Sequence, residues 1–252
     1  MQRLPASDFC GWPRVSPDGR FLVWLAWDHP NMPWEISELR VAARQQDGIF
    51  GPADLIASLA LQHGYDSNFQ PEWSPEGTLY YVCDHSDWWN LYRGYRRPPD
   101  SLCPREAEFG RPQWLFGNPT YAFAGPGRIV CSFCERGLWQ LALLDTNSGR
   151  LERIDAPYTD IWSVRATPDY AVFCASSATE PAAVVRLDLA TRKLEVLRRS
   201  STLEIDNRHI SVPRAVEFPT EGGQTAHAFF ASFGAEVESI QVEQVIQPML
   251  DY

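Results

Sequence analysis

The chain has 252 residues, of which 44% are apolar and ten are tryptophan, with a formal net charge of -10 at pH 7. That apolar fraction suffices to bury the core of one large all-β domain or of two small domains. The acidic balance, with no basic cluster longer than Arg96-Arg97 or Arg198-Arg199, speaks against nucleic acid as a partner, because phosphate binding needs a basic face.

The amino-terminal stretch MQRLPASDFCGW has no apolar segment preceded by positive charge, and no later run approaches the roughly 18 apolar residues of a membrane span. A cytoplasmic chain with no membrane partner is the expectation. The first elements follow at once. Ser16-Pro17-Asp18-Gly19 places Pro where φ is already fixed and Gly where a positive φ costs little, so the chain reverses there. Beyond the turn, Phe21 to Trp27 is aliphatic and aromatic and reads as a strand. A loop from Asp28 to Trp34 comes next, and then a further strand in SELRVAA.

This hairpin recurs along the chain. VSPDGRFLVWLAW, WSPEGTLYYVCD, AGPGRIVCSFC and ATPDYAVFCAS each set a proline in a turn just before an apolar run, and Pro17, Pro75, Pro126 and Pro168 stand 58, 51 and 42 residues apart. Each is preceded by a short candidate strand, expected near residues 11 to 15, 69 to 73, 112 to 116 and 161 to 166. Each is followed by another strand, in SELRVAA, WNLYRGY, LWQLALLD and AVVRLDLA. A fourth strand is legible in LERID (151 to 155) and KLEVLRR (193 to 199), each after a polar turn. Units of roughly 40 to 50 residues, four strands each, with turns rich in Gly, Pro, Asn and Asp, have the pattern of propeller blades. The expected fold is all-β: a partial β-propeller of about four antiparallel blades in an open arc over residues 1 to 212. A β-sandwich is the competing arrangement, but its strands need no long-range repeat.

Five of the six cysteines, Cys10, Cys83, Cys131, Cys134 and Cys174, lie in or beside apolar strand-like segments and read as buried free thiols. Cys131 and Cys134 form a Cys-x-x-Cys, but residues three apart on a strand point to opposite faces, and a structural zinc site would want a second pair. No metal and no cofactor is expected.

On these residues the chain resembles the propeller of the prolyl oligopeptidase family of serine peptidases, in the branch of acylaminoacyl-peptidase-like and dipeptidyl-peptidase-like enzymes. The likeness rests on SPDGRFLVWLAWDHPNMPW, FQPEWSPEGTLYYVCDHSDWWNLYR, EAEFGRPQW, ERIDAPYTDIWSVRA and RLDLATRKLEVLRRS. It continues into SVPRAVEFPTEGGQTAHAFF, so that residues 213 to 230 resemble the passage from propeller to α/β-hydrolase domain. The family's catalytic domain carries a Gly-x-Ser-x-Gly elbow, and that motif does not occur in these 252 residues. Residues 231 to 252 do not resemble the start of such a domain, and their apolar positions from Val237 to Leu250 lie roughly on one side of a short helix.

The resemblance implies a noncatalytic propeller portion that restricts and orients peptide substrate and is inactive as this chain alone. A self-standing propeller that binds a protein or peptide is the alternative. A divalent-metal propeller enzyme would need oxygens such as those of Glu35, Asp84, Asn90 and Glu180, whose spacing has no ligand pattern. Two loops rhyme, WDHPNMPW and CDHSDWWN. In a blade both join second strand to third and open on one face of the disc. Their ordinary role is as connectors, with Asp bonding nearby backbone and Trp packing between blades. Their functional role would be a polar and aromatic rim of Asp28, His29, Asn31, Trp34, Asp84, His85, Trp88 and Trp89, the carboxylates meeting a peptide amine. Blade ends left without neighbours would expose apolar faces and promote self-association.

Overall fold

The computed structural model describes residues 7–57, 66–94, 100–203 and 205–231. Four antiparallel sheets of four strands follow one another in chain order. The first holds β1 (Phe9–Val15), β2 (Phe21–Trp27), β3 (Glu38–Arg44) and β4 (Phe50–Ala57). The second holds β5 (Asn68–Trp73), β6 (Leu79–Cys83), β7 (Asn90–Arg93) and β8 (Asp100–Ser101). The third holds β9 (Tyr121–Phe123), β10 (Arg128–Glu135), β11 (Leu138–Asp145) and β12 (Leu151–Ile154), and the fourth β13 (Asp160–Ala166), β14 (Tyr170–Ser176), β15 (Ala183–Asp188) and β16 (Leu194–Arg199). Each sheet pairs its strands in sequence order, which is the meander of a propeller blade. A separate hairpin, β17 (Arg214–Pro219) with β18 (Thr225–Phe230), follows the blades.

The blades are alike because their turns are. The amide of Gly19 donates to the carbonyl of Ser16 at 2.8 Å, and that of Gly77 to Ser74 at 2.9 Å. Gly19 and Gly77 sit at φ of 72° and 82°, a region that only glycine enters without strain. Asp18 tightens the first turn by accepting from the Ser16 hydroxyl and the Arg20 amide. The outer turns repeat as well. Asp145 accepts from the amides of Asn147 and Ser148, and Asp188 from those of Ala190 and Thr191.

The first strands of blades 1, 2 and 4 share an irregularity. Pairing slips between Gly11 and Arg14, between Phe69 and Glu72, and between Trp162 and Arg165. At each slip one non-glycine residue takes a positive φ: Trp12 at 53°, Gln70 at 46° and Ser163 at 55°. Such bulges bend a strand and re-aim its side chains. Here they turn Gln70 across to blade 3, where its side-chain amide donates to the Tyr121 carbonyl at 2.7 Å and accepts from the Thr120 amide at 2.8 Å.

Side chains from neighbouring blades interdigitate in two main cores, one joining blades 1 to 3 and the other blades 3 and 4. Strand β10 serves both: Ile129, Cys131 and Phe133 enter the first core and Val130 the second, as a period of two dictates. Every residue of β6 is buried, since blade 2 has a neighbour on each side. On β14, by contrast, Ala171, Phe173 and Ala175 are buried while Tyr170, Val172, Cys174 and Ser176 on the far face are only partly so.

Three expectations need correction or qualification. Residues 112 to 116 are not the first strand of blade 3; that strand is Tyr121–Phe123. The hairpin turn closes through the Ala124 amide and the Arg128 carbonyl at 2.8 Å, so only the residues immediately before Ala124 can pair with β10. The segment around Trp114 instead crosses back to blade 1: Trp114 meets Trp34 with ring centroids 4.3 Å apart, and Phe116 lies against Trp12 and Trp27. Trp114 and Leu115 keep 72% of their surface exposed. Of the five cysteines expected to be buried, Cys83 and Cys131 are, Cys134 and Cys174 are only partly so and Cys10 is exposed at the rim of β1, while the sixth, Cys103, is buried. The proposed helix of the 231 to 252 tail lies outside the described residues. Among the described residues no helix is long and apolar enough to cross a membrane.

Candidate functional site

The loop after β6 is held from below. The Ser67 amide donates to Asp84 Oδ1 at 2.7 Å and the Ser67 hydroxyl to Oδ2 at 2.9 Å, so Asp84 ties the loop to the start of β5. The same hydroxyl accepts from Trp89 Nε1 at 2.5 Å. Trp89 is thereby fixed against Phe69, with centroids 6.1 Å apart and planes 17° apart. Its amide donates to Glu108 Oε2 at 2.8 Å, and its carbonyl accepts from the Phe109 amide at 2.7 Å. The segment between blades 2 and 3 is thus laced onto this loop, and the Glu108 amide and carbonyl also exchange hydrogen bonds with Cys134 of β10.

A cavity of about 440 Å³ opens above these contacts. Its walls are Trp34 from the β2–β3 loop, Asp84, Asp87 and Trp89 from the β6–β7 loop, Cys134 and Trp139 from the β10–β11 hairpin, and Glu108, Gly110 and Pro112 from the crossing segment. Three indoles and three carboxylates therefore face one space. Burial pushes the Glu108 carboxyl above the ordinary carboxylate range, and the Asp84 charge adds to it. Burial likewise raises Asp84, against the pull of its bonds to Ser67. The neighbouring cation is engaged elsewhere: the Arg111 guanidinium stacks 3.8 Å from the Trp139 ring centroid and pairs with Asp160. Anionic groups pushed toward neutrality beside indole faces form an environment that gains from an organic cation.

The eight rim candidates divide. Trp34, Asp84 and Trp89 line the cavity. Asp28 accepts from the Asp8 amide at 2.7 Å, the His29 amide donates to Asp8 at 3.0 Å and the Asn31 amide to the Asp28 carbonyl at 3.0 Å, which makes those three a loop lock outside the cavity. His85 Nδ1 stands 3.6 Å from Asp66, and Trp88 is exposed; neither lines the cavity. Asp87, Glu108, Cys134 and Trp139 are additional lining residues.

Metal chemistry finds little support in the donors. Ligand atoms of Asp66, Cys83 and Asp84 come within 4.8 Å of one another, but Ser67 occupies both Asp84 oxygens and burial pushes the Cys83 thiol up. Glu35 accepts from the Met32 amide, Asn90 secures the 105 segment and Glu180 pairs with Arg199 on blade 4, so those oxygens do not converge. Burial raises the Cys131 and Cys134 thiols as well, which disfavours a reactive thiolate at either position.

No family model and no curated protein matches the sequence. Solved structures do. Puromycin hydrolase shares 32% identity over 92% of this chain at a TM-score of 0.80, and a Mycobacterium tuberculosis puromycin-hydrolyzing peptidase 32% over 90% at 0.81. Prolyl oligopeptidase B from Galerina marginata, at 14% identity and a TM-score of 0.63 over 88% of the chain, shares the fold. The four blades fit part of the propeller seen in prolyl oligopeptidase-family structures. The chain spans 35% of each of the two puromycin-hydrolyzing chains and 30% of the Galerina marginata oligopeptidase. The cavity lies where the second-to-third-strand connections of the first three blades meet. The β17–β18 hairpin reaches the same face, since Phe229 packs on Gly137 in the β10–β11 turn.

Proposed function

We propose that this chain is the noncatalytic propeller portion of a prolyl-oligopeptidase-type serine peptidase, and that its cavity receives the protonated amino end of a peptide. The observation that carries the reading is the match to puromycin hydrolase at 32% identity and a TM-score of 0.80 over 92% of the chain, in a sequence without Gly-x-Ser-x-Gly. A nucleophile, its base and an oxyanion hole would come from the hydrolase domain, which the β17–β18 segment resembles the approach to. The propeller's contribution is to admit and orient peptide. A serine-to-alanine variant of puromycin hydrolase has been solved with PGG, which supports a peptide as the ligand class.

In the cavity, an ammonium would sit between Glu108 and Asp84, with the indoles of Trp34, Trp89 and Trp139 covering the apolar side chain beside it. Calorimetric titration with Phe-Gly amide and its N-acetylated form tests this. The free amine binds at least about tenfold tighter to the chain, and Glu108→Gln erases the difference. Equal affinities for the two ligands would reject the cavity as an amine site. Labelling of the chain by a fluorophosphonate probe would reject the noncatalytic assignment.

A further inference from the structure

A second cavity lies on the propeller axis, where the first strands converge. It encloses about 370 Å³ and draws lining residues from β1, β5, β9 and β13. One position of each strand sets its charge: the second residue before the one whose amide closes the hairpin turn. Those closing residues are Ser16, Ser74, Ala124 and Thr167, so the positions are Arg14, Glu72, Ala122 and Arg165, all four of which line the cavity.

The two arginines stand differently. Arg14 Nε donates to both Glu72 oxygens, at 2.8 and 2.9 Å, and Trp12 Nε1 donates to the same carboxylate at 3.2 Å. That pair cancels its own charge. Arg165 is held by two backbone carbonyls, those of Val164 at 3.2 Å and of Gly117 at 3.0 Å, and among the described residues it has no carboxylate partner. Blade 3 contributes Ala122 at the matching position, so nothing there neutralises it. Of the remaining lining residues, Pro119, Tyr121, Phe123, Val164 and Ala166 are aromatic or aliphatic, and the polar Gln70 engages its side-chain amide with the Tyr121 carbonyl and the Thr120 amide. An exposed guanidinium fixed by two carbonyls, with no carboxylate partner among the described residues and largely apolar neighbours, is free to meet an anion.

We propose that this axial cavity binds a carboxylate of an extended peptide, with Arg165 as its forked partner and the Arg14–Glu72 pair as a fixed wall. The site is separate from the amine cavity and does not depend on it. The volume admits one or two residues of a peptide, and the carboxylate comes either from a free C-terminus or from an acidic side chain.

Fluorescence anisotropy with N-dansylated tripeptides tests the proposal on the whole chain, because the blocked amine leaves the first cavity out of the measurement. The probes are dansyl-Gly-Gly-Phe as the free acid, the same peptide as its amide, and dansyl-Gly-Asp-Phe amide. The free acid binds about tenfold or more tightly than the Gly-Gly-Phe amide, and Arg165→Gln brings the acid down to the amide's level. The third probe separates the sources: binding like the acid means any peptide carboxylate serves, and binding like the amide means the C-terminus is required. Raising salt from about 0.05 to about 0.5 M weakens the acid alone. Arg186→Gln, an arginine on β15 paired with Glu195, leaves every affinity unchanged. Acid and amide binding equally, neither binding at all, or an acid preference surviving in Arg165→Gln would each overturn the proposal. If Arg165→Gln does not fold by circular dichroism, Arg165→Lys replaces it; an undiminished acid affinity there overturns the forked contact, and a several-fold loss supports it.

Discussion

The wall of the amine cavity contains a contact with almost no tolerance. A Cβ placed on Gly110 would lie 2.3 Å from Cε3 and 2.8 Å from Cδ2 of Trp89, well inside an ordinary contact of 3.4 Å or more. Gly110→Ala must therefore displace the indole by about 1 Å. Moving it breaks contacts: Trp89 is 8% exposed, stacked on Phe69 and hydrogen-bonded through Nε1 to Ser67, and only its cavity side is open. Overpacking of this kind costs about 1–3 kcal/mol, and loss of the indole hydrogen bond adds about 1 kcal/mol. For a chain of this length the sum corresponds to a fall in Tm of roughly 5 to 15 °C. Differential scanning calorimetry reads the melting temperature, and tryptophan emission at an unperturbed temperature reports the indole's surroundings. A Gly110→Ala protein with wild-type Tm and emission would refute the packing described here and, with it, the fixed geometry of the cavity.

Other consequences follow from the same structure. Because burial raises Asp84 and Glu108, the native chain holds their protons more tightly than the unfolded chain, so their contribution to stability is favourable at low pH and falls as pH rises from the ordinary carboxylate range through the raised values. The Tm of Glu108→Gln should therefore gain on that of wild type between about pH 4 and about pH 7, and a flat or shrinking difference would contradict it. The exposed Asp18, lowered to about 2 by its bonds to Ser16 and Arg20, acts in the opposite sense, favouring the fold above the ordinary aspartate value and losing that effect only as pH falls toward 2. A double-mutant cycle of Arg14→Ala and Glu72→Ala by urea denaturation should give a coupling of about 1 kcal/mol, modest because both side chains are partly exposed; a coupling of zero would mean the pair does not form in solution. In the native protein a maleimide should leave Cys83, Cys103 and Cys131 unlabelled, since all three are buried and Cys103 is pushed up to about 11, whereas all six thiols should label in urea; mass spectrometry that finds those three labelled natively would refute the burial.

What could be read from the sequence was whatever local chemistry dictates. Pro17, Pro75, Pro126 and Pro168 mark turns because proline, joined in the first three by a nearby glycine, fixes backbone angles without help from the rest of the fold. The fourth strands of blades 3 and 4 were legible from the polar turns before them, while β8, with two residues, and β4, which contains Gly51 and Pro52, carry no such pattern. The apolar run at 114 to 116 misled because aromatic packing across blades looks, in one dimension, like a strand. Trp34, Asp84 and Trp89 were recognisable as a repeated loop feature. Glu108 was not: in Glu106-Ala107-Glu108-Phe109 it is one of two similar carboxylates, and only the fold, which buries Ala107 and Phe109 to 0% and 1% exposure, sets it beside a cavity. Trp139 and Asp87 gave no signal either, because only the assembly of three blades brings them to the same space.

The proposed role, a propeller portion that holds a peptide by its amino end, is checked most directly by a crystal structure of this chain with Phe-Gly amide bound. The ligand's ammonium should lie within hydrogen-bonding distance, about 3 Å, of Glu108 or Asp84, with its phenyl ring against Trp34, Trp89 or Trp139. A ligand seated elsewhere on the propeller, or one whose amine points to solvent while its carbonyl occupies the cavity, would contradict it.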